Sequence, residues 1–372
     1  MDNYRICLMK KSIILLIVLS SLFGVELDRQ LEIAGKNAVQ IKKAITEVPK
    51  EQLRGMELLI ANMPEEDLRS LSADFLLANC ELAYDVWENN EWSKQVPENI
   101  FFNFLLPYAN LNERRDNWRQ DFHDKFLPII KNTSSMYEAV ALLNKNIYDK
   151  VGVIYSTDRP KADQSPYESI DAGMASCTGL SILLIDACRS VGIPARFVGT
   201  PLWYNNSGNH SWVEIWDDEW HFTGAAEPTG DKLSEAWFSD LASKAVQGNM
   251  KYGIFAATWE KTNIYFPMNW LPQVKKYNAI DVTENYKIEE VQTVLIPIRV
   301  RALDSSGQRC EVRVTVTGED NNVKEGFSRD NTSDANDHLT FMLPKGQIFK
   351  VQSEKVEKTI KVVNEELIDL KL

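Results

Sequence analysis

The chain has 372 residues, more than one ordinary core accommodates, so two or three domains are expected. Hydrophobic residues make up 44% and charged residues 25%, the balance of a folded soluble protein. A formal net charge of −12, with no lysine- or arginine-rich stripe, argues against nucleic acid and anionic membrane surfaces as partners.

Lys10 and Lys11 precede an apolar run from Ile13 to Leu19, followed by Ser20, Ser21 and Leu22-Phe23-Gly24. The run suits a signal peptide over residues 1–24 and is too short for a span of about 20 residues. The expectation is an exported protein, periplasmic, secreted or held in the cell envelope, with no stable membrane span once the signal is removed. Four cysteines then remain, Cys80, Cys177, Cys188 and Cys310, and their spacing shows no disulfide framework. Cys80, Cys188 and Cys310 read as small buried hydrophobes.

Residues 25–134 carry a helical pattern, with apolar faces at Leu58-Leu59-Ile60, Phe75-Leu76-Leu77 and Phe101-Phe102. The segment Arg114-Arg115-Asp116-Asn117-Trp118-Arg119 reads as a solvated helix face. Ser135 and Glu138 are spaced as a capping box, which starts a helix ahead of Ala139-Val140-Ala141. From Val151 to Met174 the pattern dissolves into Asp, Ser, Pro and Gly, and a loop is expected.

Cys177 then opens an apolar run with Leu180, Leu183, Leu184, Ala187, Cys188 and Val191 at helical spacing, closed by Gly192 and Pro194. Ala195 to Gly199 reads as a buried strand. His210 begins a strand in which Ser211, Val213 and Ile215 alternate with Trp212, Glu214 and Trp216, predicting one buried face. Trp220 to Thr223 returns as its partner. His221 alternates within that strand and reads as structural.

After Tyr286 short alternating strands separated by turns predict a β-sandwich over residues 286–372, in which Cys310 begins a strand. Gly318 to Asp337, rich in Asp, Asn and Ser, reads as a mobile loop without an EF-hand-like calcium spacing.

A thiol at a helix N-terminus, a histidine opening a strand and an acid beyond it are the parts of a nucleophilic site. Unpaired amides at the helix start favour the thiolate, the imidazole moves the proton, and a carboxylate orients the imidazole. Glu227 is the first choice of acid, with Asp231 the rival and Glu214 a distant third. The Cys177 amide is the natural first oxyanion donor. Trp203 and Trp212 are candidates to line a substrate groove.

Three stretches resemble the transglutaminase-like superfamily, whose papain-like core is shared with cysteine peptidases. They are Ser176-Cys177-Thr178-Gly179-Leu180, the run from Ala187 to Arg196 with its Gly-Ile-Pro-Ala-Arg step, and Asn209-His210-Ser211-Trp212-Val213-Glu214. The resemblance covers roughly residues 135 to 230 and implies Cys177 as nucleophile and His210 as base. The superfamily's usual Asp-Pro pair is replaced by Glu227-Pro228, a few residues late. The last domain resembles carboxypeptidase regulatory-like or transthyretin-like modules of exported bacterial proteins.

The expected fold is therefore α+β: a helical N-terminal domain (25–134), a papain-like transglutaminase-type core with an antiparallel sheet (135–285) and a C-terminal β-sandwich (286–372). The expected chemistry is acyl transfer from an amide, by hydrolysis or transamidation, through a Cys-His-acid triad and a thioester. The substrate would be a protein or peptide, and no metal or organic cofactor is implied. The rival reading is a non-catalytic module of the cell envelope that binds peptide or glycan.

Overall fold

The structure, a computed structural model, describes residues 27–287, 294–318, 322–354 and 356–372. The signal-like segment lies outside the described residues. Among the described residues no helix is long and apolar enough to cross a membrane.

The first part is helical, with helices at Ala38–Glu47, Leu53–Asn62, Glu65–Ser70, Ala73–Asn89 and Arg119–Ile130. Their buried faces merge with the next region into one hydrophobic cluster that runs from Ala34 to Ala279. The segment around Arg119 is not the solvated face its charges suggested. Arg119 is 2% exposed and donates to Asn79 Oδ1 and to the carbonyls of Leu105, Leu106, Pro107 and Arg189. A buried guanidinium whose three nitrogens all donate to oxygens is a permissible core group, and here it ties the helices to the second region.

Ser135 caps the helix Met136–Val151 by accepting from the Glu138 amide, as its spacing predicted. The Glu138 carboxylate instead accepts from Ser134, so the box is not closed on the cap itself. The closed box lies at Ser165 and Glu168, where it starts the helix Pro166–Ala172 inside the expected loop. Ser-Pro-x-Glu is a helix-start signal that the surrounding Asp, Pro and Gly obscured. Two-residue strands β1 (Ile154–Tyr155) and β2 (Met174–Ala175) pair in parallel on either side of that helix.

The helix Cys177–Ser190 follows directly and packs against β3 (Ala195–Thr200) and β4 (His210–Asp217). With β5 (Glu219–Thr223), β6 (Phe255–Ala257) and β7 (Ala279–Asp281) these form a five-stranded antiparallel sheet in the order β5-β4-β3-β6-β7. His210 to Ile215 are buried on both faces of β4, not on one. One face meets the helices through Phe197, Val213 and Ile215. The other carries Val198 and Trp212 into a second cluster with Trp203, Phe238 and Tyr286. Alternation in sequence distinguished the faces but not what covers them.

The last region is a sandwich of two sheets. One has the order β11 (Leu339–Pro344), β8 (Leu295–Leu303), β14 (Glu366–Lys371), and the other β10 (Val323–Phe327), β9 (Arg313–Gly318), β12 (Ile348–Gln352), β13 (Glu357–Lys361). Inward-facing Ile298, Val300, Leu343 and Ile368 from the first meet Val314, Val316 and Val351 from the second. Cys310 precedes β9 and is half-buried, so it neither begins a strand nor sits in the core. The expected mobile loop holds β10 and then folds back onto the second region. There the Ala335 amide donates to Tyr155 Oη and Asn336 Nδ2 to the Asn209 carbonyl.

Candidate active site

Cys177 is the first residue of its helix, with Ser176 at the N-cap position making no side-chain capping bond, and is half-buried. The helix lies close to the chain before it. A Cβ on Gly179 would stand 3.0 Å from Ala175 Cβ and 3.2 Å from Ser169 Oγ, so glycine lets the cysteine's first turn seat against that segment. His210 pairs with Thr200 at the end of the β3–β4 ladder. Next to it, a Cβ on Gly199 would lie 2.9 Å from the His210 carbonyl.

The fold brings the sulfur and the imidazole together. Cys177 Sγ, a His210 ring nitrogen and an Asp334 carboxylate oxygen all lie within 4.8 Å of one another. Glu227 occupies the other side of the ring, with Oε2 3.4 Å from His210 Nε2, while Asp334 Oδ2 is 3.9 Å from Nδ1. His210 is 1% exposed, and neither ring nitrogen has a hydrogen bond of good geometry. Catalytic hydrogen bonds are often this open before substrate binds.

Burial opposes a charge on His210. Glu227, the Cys177 thiol and then Asp334 outweigh it, and they hold the imidazole's pKa well above its ordinary value. The shift is toward the protonated ring, the form that a thiolate partner needs.

Glu227 is positioned from two directions. Trp237 Nε1 donates to its Oε2 at 2.8 Å, the same oxygen that faces His210. The turn that carries it is locked by buried Asn144, which accepts from the Ala226 amide and donates to Thr223 Oγ1 and the Gly224 carbonyl. Gly224 has no room for a side chain, because a Cβ there would collide with the Glu227 carboxylate.

The rival acids are elsewhere. Asp231 has an 88% exposed side chain, 4.0 Å from Lys145. Glu214 is buried in an ion pair with Arg196 at 2.5 Å and accepts from Tyr286 Oη, which itself accepts from Trp212 Nε1. Trp203 and Trp212, expected at a groove, are 1% and 0% exposed and have no surface to offer a substrate. They stand behind His210, their ring centroids 6.4 and 5.8 Å from the imidazole, as its apolar back wall. His221 is outside the site, with its ring against Tyr137.

Two residues of the site carried no sequence signal. Trp237 was one tryptophan among many; its ring lies 5.0 Å from His210 and lines a cavity of about 740 Å³ beside Glu227. Asp334 comes from the β-sandwich, 124 residues after His210, and only the fold of that loop reveals it.

A largely buried thiol at a helix start, faced by a buried imidazole with a carboxylate across the ring, is the arrangement that papain-like sites share. Residues 126–224 match the transglutaminase-like superfamily, an interval that contains Cys177 and His210 and stops just short of Glu227. No curated protein matches the chain. Among solved structures, a candidate cysteine protease from Cytophaga hutchinsonii is 20% identical over 30% of this chain and 38% of its own, with a TM-score of 0.26. Red sea bream transglutaminase is 9% identical over 78% of this chain and 60% of its own, also at 0.26. A C-terminal fragment of the pilus adhesin SpaC from Lactobacillus rhamnosus GG is 13% identical over 45% and 73%, at 0.17. This chain spans less than two thirds of the Cytophaga protein and of the sea bream enzyme.

Proposed function

We propose that this protein is a cysteine acyltransferase or hydrolase acting on amide bonds of protein or peptide substrates outside the cytoplasm. The observation that carries the reading is the placement of His210, with the Cys177 sulfur on one side and Glu227 across the ring. The apolar run Ile13 to Leu19 behind Lys10 and Lys11 supports export.

The reaction follows from the parts. The Cys177 thiolate adds to the amide carbonyl, and the tetrahedral oxyanion forms near the helix N-terminus. His210, protonated, gives its proton to the departing amine as the C–N bond breaks, leaving a thioester and a neutral imidazole. Water or an incoming primary amine then loses a proton to His210 and attacks the thioester, and the thiolate–imidazolium pair is regenerated. Glu227 keeps the ring oriented and stabilises its charge in both steps.

The test is a peptide library incubated with wild-type protein and with Cys177→Ala, each with and without a primary amine and with a chelator present. Cleavage, a one-dalton deamidation shift or amine addition, read by mass spectrometry and absent in Cys177→Ala, is the expected result. No mass change in any arm, together with Cys177 alkylation as slow as that of a free thiol, would leave a non-catalytic binding module.

A further inference from the structure

In a Cys-His-acid triad the acid stands across the imidazole from the sulfur, and here Glu227 does so. Asp334 stands on the sulfur's own side, within 4.8 Å of both Sγ and a ring nitrogen. It helps to hold a proton on the imidazole but does not stand across the ring as the orienting acid does. A second carboxylate beside a thiolate is a like-charge contact that a buried site does not gain by making. Among the described residues, this is the one place where three such side chains converge.

We propose that Cys177, His210 and Asp334 form a three-ligand site for a borderline transition metal ion, zinc above all, that reversibly locks the thiol. A thiolate, an imidazole nitrogen and a carboxylate oxygen are the mixed set such an ion takes, with the fourth position left to solvent. Calcium and magnesium, which take oxygen ligands, do not suit the sulfur.

The surroundings fit a metal site. His210 Nδ1 is buried without a hydrogen-bond partner. Nε2 is unpartnered as well but has Glu227 Oε2 3.4 Å away, so a proton on Nε2 would face that carboxylate and leave Nδ1 to ligate, the carboxylate–histidine–metal arrangement of many such centres. The Asp334 carboxylate is itself oriented. The Asn336 amide donates to its Oδ1 at 2.8 Å, which leaves Oδ2 toward the ring. Its backbone is held by Arg309 Nη1, donating to the Asp334 carbonyl at 2.8 Å. Asp334 is 3% exposed, so the carboxylate is built into the interior.

Metal–ligand bonds of about 2.0 to 2.3 Å set ligand separations of roughly 3.3 to 3.6 Å in a tetrahedron. The 3.9 Å from His210 Nδ1 to Asp334 Oδ2 thus closes by less than an ångström, within side-chain rotation. Binding releases one proton, from the thiol–imidazole pair, since the ion takes the thiolate and the neutral ring. The metal-bound sulfur is no longer a nucleophile. Because Asp334 belongs to the sandwich, the ion also staples that region across the cysteine.

The proposal does not need the acyl-transfer reading, so the two can fail separately. Metal-stripped protein is titrated with Co²⁺ as a spectroscopic stand-in, and with Zn²⁺ against a chromophoric chelator. Expected are one equivalent bound, a thiolate-to-cobalt charge-transfer band that Cys177→Ser abolishes, and Zn²⁺ affinity about ten- to a hundredfold weaker in Asp334→Asn. If Asp334→Asn does not fold, X-ray absorption of the wild-type zinc complex decides, with one sulfur at about 2.3 Å and the rest nitrogen or oxygen. A missing charge-transfer band, an absorption spectrum without sulfur, or unchanged affinity in folded Asp334→Asn overturns it.

Discussion

Replacing Glu227 by Gln isolates the charge on the far side of His210 with little change in shape. The amide oxygen still accepts from Trp237 Nε1, as the Oε2 carboxylate oxygen does now. What disappears is a negative charge 3.4 Å from Nε2 of a buried ring. Two unit charges at that separation interact by about 5 kcal/mol at an effective dielectric constant of 20. This is a ceiling, equal to about three and a half decades in an equilibrium constant, and the remaining amide dipole recovers part of it. The thiolate depends on the imidazolium, so Cys177 alkylation by iodoacetamide at about pH 6 should slow by roughly 10- to 1,000-fold. At about pH 9 to 10 an ordinary thiol ionises unaided, and the rates of the two proteins should converge. Labelling is read at the Cys177 peptide by mass spectrometry, which separates it from half-buried Cys310. Asp334→Asn is the counterpart: its charge repels the thiolate and attracts the imidazolium at similar distances, so the rate should stay within about threefold. A Glu227→Gln rate within twofold of wild type, or a larger loss in Asp334→Asn, would refute the assignment of the orienting acid.

Glu214→Ala should destabilise the protein by about 3–5 kcal/mol in denaturant unfolding, because it strands the Arg196 guanidinium in the interior. Its alkylation rate at Cys177 should match wild type, and a slowed rate in a fully folded variant would return Glu214 to the list of acids. Near the site, Asp337 and His338 titrate in opposition. Burial raises the Asp337 carboxyl to about 6, and burial with Arg309 nearby lowers His338 to about 4. Asp337 therefore contributes stability below about pH 4 that is lost as pH rises through 6, and His338 contributes stability above about pH 6.5 that is lost as pH falls through 4. Each amounts to roughly 3 kcal/mol, so the two contributions nearly cancel across that window. Asp337→Asn should lose stability on acidification and His338→Gln should gain it, and slopes equal to wild type in both would contradict the reasoning.

What the sequence disclosed and what it withheld divide along physical lines. The Cys177 helix, the β3–β4 ladder and the sandwich strands were legible because apolar period and turn residues write them locally. The closed capping box at Ser165 was equally local and was masked by its polar neighbours. Arg119 was misread for a different reason. A charged run on a helix is normally solvated, and nothing nearby in sequence announces that five oxygens from distant segments will surround one guanidinium. The tryptophans erred the same way. Trp203 and Trp212 have the chemistry of groove residues, and only the second cluster behind the sheet shows that they are interior. Trp237, with the same chemistry, is the one that meets Glu227.

The site itself shows where local reading ends. Its nucleophile, base and orienting acid come from one stretch of 51 residues, Cys177 to Glu227, so their spacing could suggest them. The fourth group comes from the sandwich, and its place depends on Arg309, Asn336 and Tyr155 holding one loop against another region. A carboxylate brought that far, buried, and set on the sulfur's side of the ring raises the negative charge of the site while helping to hold the imidazole's proton. The imidazolium and, beside Asp334, the partly buried Arg309 guanidinium face two carboxylates and a thiolate, and a divalent cation at the proposed site would add to that positive charge.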